Sequence, residues 1–344
     1  MCSHWSSQVI ETASHKGQTP PVYNQPASRQ ESPLRKFVAL QNDALLILGP
    51  RRIPPMPCTA SSTSSAMSIV TSLGFGMLEY TDYVEAIQKL RPDIVIGMGD
   101  VLFGHKPGVK RADKMGDRTS AWIKALVAAM EDGEEGTPNT ALFAPILPIA
   151  AEQQSYYLDV LENELRSSVS GLALYDLSSV DAIPEGLLHL SRLYLGAVNS
   201  PHKLLHAIAL KVDIFTIPFI TEATDAGIAL DFSFPAAKED LSPLPMPLGK
   251  DMWSATFATS LAPLRSGCSC YACINHHCAF IQHLLNAKEM LGWVLLQLHN
   301  HHVIDQFFAG IRHSISSGSF EDDKRHFEQC YVADLPAKSG RGPR

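Results

Sequence analysis

Five short apolar runs recur along the chain: DIVIGMG (93–99), TALFAPIL (140–147), SGLALY (170–175), RLYLGAV (192–198) and VDIFTIPF (212–219), with starts roughly 20 to 50 residues apart. Runs of this length predict strands. Between them stand segments with apolar residues near a 3.6 spacing, which predict helices: YTDYVEAIQKL (80–90), RTSAWIKALVAAMED (118–132), QSYYLDVLENELRSS (154–168) and HKLLHAIALK (202–211). Strand, crossover helix and next strand at this spacing predict a parallel sheet, and periodicity leaves both a TIM barrel and a doubly wound sheet open. No GxGxxG or Walker motif follows any of these strands to favour a nucleotide-binding fold.

The rest of the chain reads differently. Residues 1 to about 35 and 54–65 (PPMPCTASSTSS) are rich in Ser, Pro, Thr and Gln without apolar periodicity and predict loop or disorder, and 238–254 (KEDLSPLPMPLGKDMWS) reads as a loop insertion. No run approaches 18 apolar residues and the first residues lack a secretory or transit pattern, so the expectation is a soluble intracellular, cytoplasmic protein. A formal net charge of −7 argues against a chain that grips nucleic acid over its whole surface. Any RNA contact is then local or made by a partner.

The strongest chemical signal is Cys268-Ser-Cys270-Tyr-Ala-Cys273, with His299 following after 25 intervening residues. Three thiolates and one imidazole make a closed tetrahedral shell for one structural Zn2+, with no open position for catalysis. The segment AFIQHLLNAKEML (279–291) predicts the helix that returns the chain, and His299 shares a helical face with Leu295, Val303 and Phe307, which points it inward. His276, His277, His283, His301 and His302 crowd the same region, and a fourth cysteine, Cys278, reads as a small buried hydrophobe.

This cluster, in RSGCSCYACINHHCAFIQHLLNAKEMLGWVLLQLHNHH, closely resembles the zinc subdomain of the tRNA-guanine transglycosylase family. PDIVIGMGD (92–100), SGLALYDL (170–177), RLYLGAVNSPHKLLHAIALKVDIF (192–215) and GIRHSISSGSF (310–320) resemble its barrel strands and C-terminal helix, so the resemblance covers about residues 90 to 330 and not 1–36. It implies a (β/α)8 TIM-type barrel over 37–330 with the zinc subdomain at about 262–315. An atypical or disordered segment precedes the barrel at 1–36, and a disordered basic tail follows at 331–344.

Members of the family exchange guanine for queuine or a precursor at the tRNA wobble position through an aspartate nucleophile and a second, assisting aspartate, much as retaining glycosidases form a covalent intermediate. In a strand reading like VDMFD the second aspartate is that nucleophile; here VDIFT places Thr216 there. The DSGGFQ segment has no counterpart, the nearest being SIVTSLGFGML (68–78), and the loop that accommodates the base reads Ala144-Pro145-Ile146-Leu147-Pro148. The basic anticodon loop corresponds to 221–227 (TEATDAG), where Glu222 and Asp225 would repel RNA. Asp100 matches the base-recognising aspartate, with a capping role the stronger reading, and residues 105–111 (HKPGVKR) offer a small basic run for a tRNA backbone.

An intact barrel and zinc site beside an erased centre match the non-catalytic half of the family's eukaryotic heterodimer. The resemblance thereby implies a catalytic partner subunit, tRNA held mainly through that partner, and peripheral association with the mitochondrial outer membrane. Two other readings are an active transglycosylase using Asp213 or Asp225, and a zinc-stabilised scaffold with no tRNA role.

Overall fold

The computed structural model describes residues 3–4, 19–28, 31–58, 61–71, 74–131, 140–237, 244–337 and 339–340. The chain divides into two compact units, Met1–Ala197 with Leu210–Thr216, and Val198–Ala209 with Ile217–Arg344.

The first unit is built on a parallel sheet. Its strands are β1 (Ser3–His4), β2 (Leu46–Leu48), β5 (Ile94–Ile96), β6 (Ala141–Ile146), β7 (Gly171–Leu174), β8 (Ser191–Tyr194) and β9 (Ile214–Phe215), hydrogen-bonded in that order and all parallel; β3 (Ala66–Thr71) and β4 (Gly74–Glu79) form a separate antiparallel hairpin. A doubly wound sheet reverses its strand order at a switch point, and this one never does, so the sheet is the wall of a (β/α) barrel. Among the described residues the wall has seven strands and is open between β1 and β9. β2, β5 and β7 are buried at every position, as expected of strands covered on both faces. Helices α1 (Pro33–Phe37), α2 (Tyr80–Leu90), α3 (Val109–Glu131) and α4 (Ser155–Asp159, continued as a π turn through Glu164) belong to this unit.

Two aspartates clip its strands at their amino-terminal ends. Asp93 donates its N–H to the Leu46 carbonyl at 2.9 Å, while its carboxylate accepts the Leu46 N–H at 2.6 Å and pairs with Arg35 at 2.5 Å. Asp213 repeats the device on Arg192, with its N–H to the Arg192 carbonyl at 2.9 Å and the Arg192 N–H to its carboxylate at 2.8 Å. Each charge thereby stands in for a ladder bond that the strand start would lack.

The second unit carries α5 (Pro201–Ala209), α6 (Phe219–Ala226), the antiparallel pair β10 (Ile228–Leu230) and β11 (Gly249–Asp251), and helices α7 (Tyr271–Asn275), α8 (Cys278–Asn286), α9 (Met290–Ser317) and α10 (Phe320–Cys330). Phe232, Phe234, Phe307 and Phe327 form its aromatic core, with Phe232 and Phe307 edge to face at 5.3 Å. Gly310 lets α9 pass the Phe234 carbonyl: a Cβ there would sit 1.8 Å from that oxygen. No helix among the described residues is long and apolar enough to cross a membrane.

Several local expectations change. The 212–219 run yields only a two-residue strand, and Pro218 further along it is the N-cap of α6. α6 also takes in most of 221–227, so the segment matched to the anticodon loop is a helix ending on Gly227 in the left-handed region at φ 76°. α3 begins at Val109 rather than Arg118, absorbing half of the basic run. Residues 249–251 of the expected loop insertion are a strand, while 238–243 lie outside the described residues. In the N-terminal stretch expected to be irregular, a 3-10 helix stands at Pro21–Asn24 and α1 begins at Pro33.

Candidate metal centre and barrel mouth

The turn before α7 brings the three cysteines of the motif together. Cys270 is the N-cap of α7, its sulfur accepting the Cys273 N–H at 3.3 Å, and one helical turn then returns Cys273 beside it. His299 reaches the same point from α9, fully buried beside Leu295, Val303 and Phe307. Its Nδ1 lies 3.7, 3.5 and 3.4 Å from the sulfurs of Cys268, Cys270 and Cys273, and the four donor atoms all fall within 4.8 Å of one another. A tetrahedron with metal–sulfur bonds of about 2.3 Å and a metal–nitrogen bond of about 2.0 Å has sulfur–nitrogen edges of about 3.5 Å. The cluster therefore has the spacing to hold a metal ion.

The imidazole is set for that role by its other nitrogen. Nε2 donates to the Leu230 carbonyl at 2.9 Å, which fixes the tautomer that leaves Nδ1 free to bind. Burial, with the neighbouring Cys268 and Cys270 adding to it, pushes the Cys273 thiol up to about 12. A thiol held so gives up its proton to a cation, not to bulk water at neutral pH. The competing histidines stand elsewhere: His283 is exposed, His276 stacks on Phe280, His277 caps α8, His301 meets Gln297 and His302 meets Ser269. Cys278 is buried outside the cluster and donates to the Pro263 carbonyl.

Sequence reasoning missed Asn300. Fully buried, its Oδ1 accepts the Leu230 N–H at 2.8 Å and its Nδ2 donates to Ile228 and Thr224, so consecutive residues of α9 hold the β10 backbone from both sides. Only its place next to an inward-facing histidine could have drawn attention to it.

In the first unit, the carboxyl ends of the parallel strands form the face on which barrel enzymes do chemistry. Asp100, just past β5, is fully buried there and committed: Arg111 holds both its oxygens at 2.6 and 2.7 Å and Arg118 adds a third contact at 3.0 Å. Burial alone would raise this carboxyl, but the hydrogen bonds of the two arginines outweigh it and hold the group below its usual range. The expected capping role is replaced by an ion-pair role. Its signal was the spacing of seven between Arg111 and Arg118, which puts both on one face of a helix begun at Val109.

Arg51, past β2, fills the same face. Its Nη1 donates to the Gly99 carbonyl at 2.7 Å and lies 3.5 Å from the Tyr175 hydroxyl, and its Nη2 donates to the Ser68 carbonyl at 3.3 Å. Thr216, past β9, donates weakly to the Gly196 carbonyl at 3.4 Å and has no carboxylate or imidazole beside it among the described contacts. Asp213 lies at the opposite end of its strand, bound to Arg192. Of the basic run, Arg111 is spent on Asp100, while Lys106 borders a cleft of about 570 Å3 with Ile149, Ser178 and Asp181.

Comparison with known proteins bears on both sites. The family model described as queuine tRNA-ribosyltransferase matches residues 6–333, reaching further toward the N-terminus than the motifs that carried the resemblance. A Schizosaccharomyces pombe protein named queuine tRNA-ribosyltransferase accessory subunit 2 is 37% identical over 320 residues, 93% of this chain and 71% of its own length. Proteins of the same name from Anopheles gambiae and Xenopus tropicalis are each 27% identical, over 85% and 77% of this chain and 71% and 73% of theirs.

Proposed function

Given that this chain belongs to the queuine tRNA-ribosyltransferase family, we propose that it is the non-catalytic accessory subunit of a heterodimer that exchanges guanine for queuine at the wobble position of tRNAs with GUN anticodons. The observation that carries this reading is the barrel mouth. Thr216 replaces the nucleophile, Asp100 is bound by two arginines, and Arg51 occupies the space between β2, β5 and β7. A glycosyl transfer needs a carboxylate free to attack C1′ and leave again, and none of the described mouth contacts supplies one. The alternative nucleophile Asp213 faces the wrong end of the barrel and already serves as a strand clip.

Cys268, Cys270, Cys273 and His299 hold one Zn2+ in this reading, since three thiolates with one imidazole at tetrahedral spacing suit zinc and leave no position for substrate. The ion supplies folding free energy. The chain's own contribution is to orient the imidazole through Leu230 and to bring the sulfurs together at the α7 N-terminus.

The partner is a catalytic subunit, and tRNA is held mainly through it. Met290, Leu291, Val294 and Leu298 form an exposed apolar stripe on α9, with Tyr271 and Ile274 exposed on α7, and they are the surface offered for docking. A stable pair would bury roughly 1,000 Å2 or more. Cytoplasmic residence, with peripheral docking on the outer face of mitochondria, is part of the same proposal and is checked by cell fractionation. The central test is co-expression with a catalytic transglycosylase subunit, followed by size-exclusion chromatography with light scattering and a guanine-exchange assay. A 1:1 complex that alone inserts queuine is expected; exchange by the isolated chain, or a chain that elutes alone, overturns the reading.

A further inference from the structure

The end of β10 meets both halves of the metal cluster. Leu230 takes the imidazole half, its carbonyl accepting His299 Nε2 at 2.9 Å. Asp231, the next residue, takes the cysteine half. Its Oδ2 lies 2.7 Å from Lys250 Nζ on β11, and its Oδ1 lies 3.6 Å from Arg265 Nε, three positions ahead of Cys268. Lys250 also donates to the Leu264 carbonyl at 2.8 Å, so Asp231 and Lys250 together grip two consecutive residues, Leu264 and Arg265.

From there the grip passes to the sulfurs. The Arg265 carbonyl accepts the Cys268 N–H at 3.3 Å, across a turn in which Gly267 takes the left-handed region at φ 71°. Burial pushes the Cys273 thiol up, and the Arg265 N–H beside its sulfur works the other way. Leu264 is fully buried in the same apolar core as Cys270, which seats the start of the turn.

Charge and position pull in opposite directions at Asp231. Three thiolates around a divalent ion carry one net negative charge, which Lys250 and Arg265 favour and the Asp231 carboxylate opposes. On charge alone, the cluster would hold its ion more tightly without this aspartate. We propose that Asp231 is a positioning residue of the metal cluster, fixing the turn that presents the sulfurs against the imidazole that its neighbour Leu230 orients. This rests on the metal assignment made above. Partners one step behind a metal ligand change metal affinity by about 10- to 100-fold when removed.

The test loads the full chain with Zn2+ and titrates it with a chromophoric chelator, for wild type, Asp231→Asn and Asp231→Glu. The cobalt-substituted proteins are compared by absorption. Asp231→Asn should bind zinc at least about tenfold more weakly, against the direction its charge change sets, and should alter the thiolate-to-cobalt band. Asp231→Glu, which keeps the carboxylate, should recover most of both. Equal or tighter zinc binding by Asp231→Asn, an unchanged cobalt spectrum, or a loss that Asp231→Glu shares in full overturns the inference. If Asp231→Asn does not fold, Arg265→Gln carries the same expectation, since it cuts only the contact with the cysteine turn. Wild type that takes up no zinc refutes the metal assignment itself, whereas equal affinity in wild type and Asp231→Asn refutes this inference alone.

Discussion

Arg111 binds Asp100 through both carboxylate oxygens, at 2.6 and 2.7 Å, across the end of a barrel strand where the family's chemistry needs an aspartate free to meet a base. The residue type is retained and its availability is lost. Replacing Asp100 with Asn leaves two arginines without their counter-charge. The loss of stability should be about 3 kcal/mol, the low end for breaking a buried pair, because the arginine side chains stay about a quarter exposed. Urea melts of the two proteins measure it, and a difference under about 1 kcal/mol would show the pair to be dispensable.

The same carboxylate sets an acid dependence. Its folded value is lowered, so its stabilising contribution is complete above the ordinary carboxylate value near 3.9 and disappears as pH falls through the lower folded value. Wild type should therefore lose more stability than Asp100→Asn as pH falls below about 4. Parallel acid titration curves for the two proteins would contradict the assignment.

At the metal cluster, Cys270→Ser should drop zinc content from one equivalent toward none and unfold or aggregate the region that follows, since metal binding and folding are one equilibrium in closed sites. Asn300→Ala separates metal from scaffold. It should retain zinc while losing about 2 kcal/mol, because the Leu230 N–H and Ile228 carbonyl lose their partner. Elemental analysis and thermal melts read both, and wild-type protein with under half an equivalent of zinc would refute the site.

Thr216→Asp should not create a transglycosylase. The new carboxylate would stand at the nucleophile's place, yet Asp100 remains paired and Arg51 still fills the mouth. Adduct trapping with labelled tRNA is the assay, and a covalent complex with the isolated variant would show that one residue was the whole difference.

The sequence made five of the parallel strands, β5 to β9, legible because each carries a short apolar run, whereas β1 and the three-residue β2 lie outside those runs. It also placed His299 inward, since the 3.6 period groups it with Leu295, Val303 and Phe307. What it hid were contacts between residues far apart in sequence. Arg51 meets Gly99 across 48 positions and Asn300 meets Leu230 across 70, and neither leaves a local pattern. The short β9 and the helical α6 share one apolar stretch, whose apolar content hid Pro218, the residue at the N-cap of α6.

Gly310 lets α9 pass close to the Phe234 carbonyl, and about three turns earlier His299 and Asn300 tie the same helix to the β10 backbone. The same continuous helix presents Met290, Leu291, Val294 and Leu298 on an adjoining face. A rod anchored in this way would make a metal in the cluster and a subunit on the stripe two ligands of one body. Whatever factor the ion adds to the affinity for a docked subunit, the docked subunit must return to the affinity for the ion. If docking is favoured by the ion, an assembled pair would then hold its metal against a higher chelator concentration than the lone chain, and the apolar stripe would act as a guardian of the site.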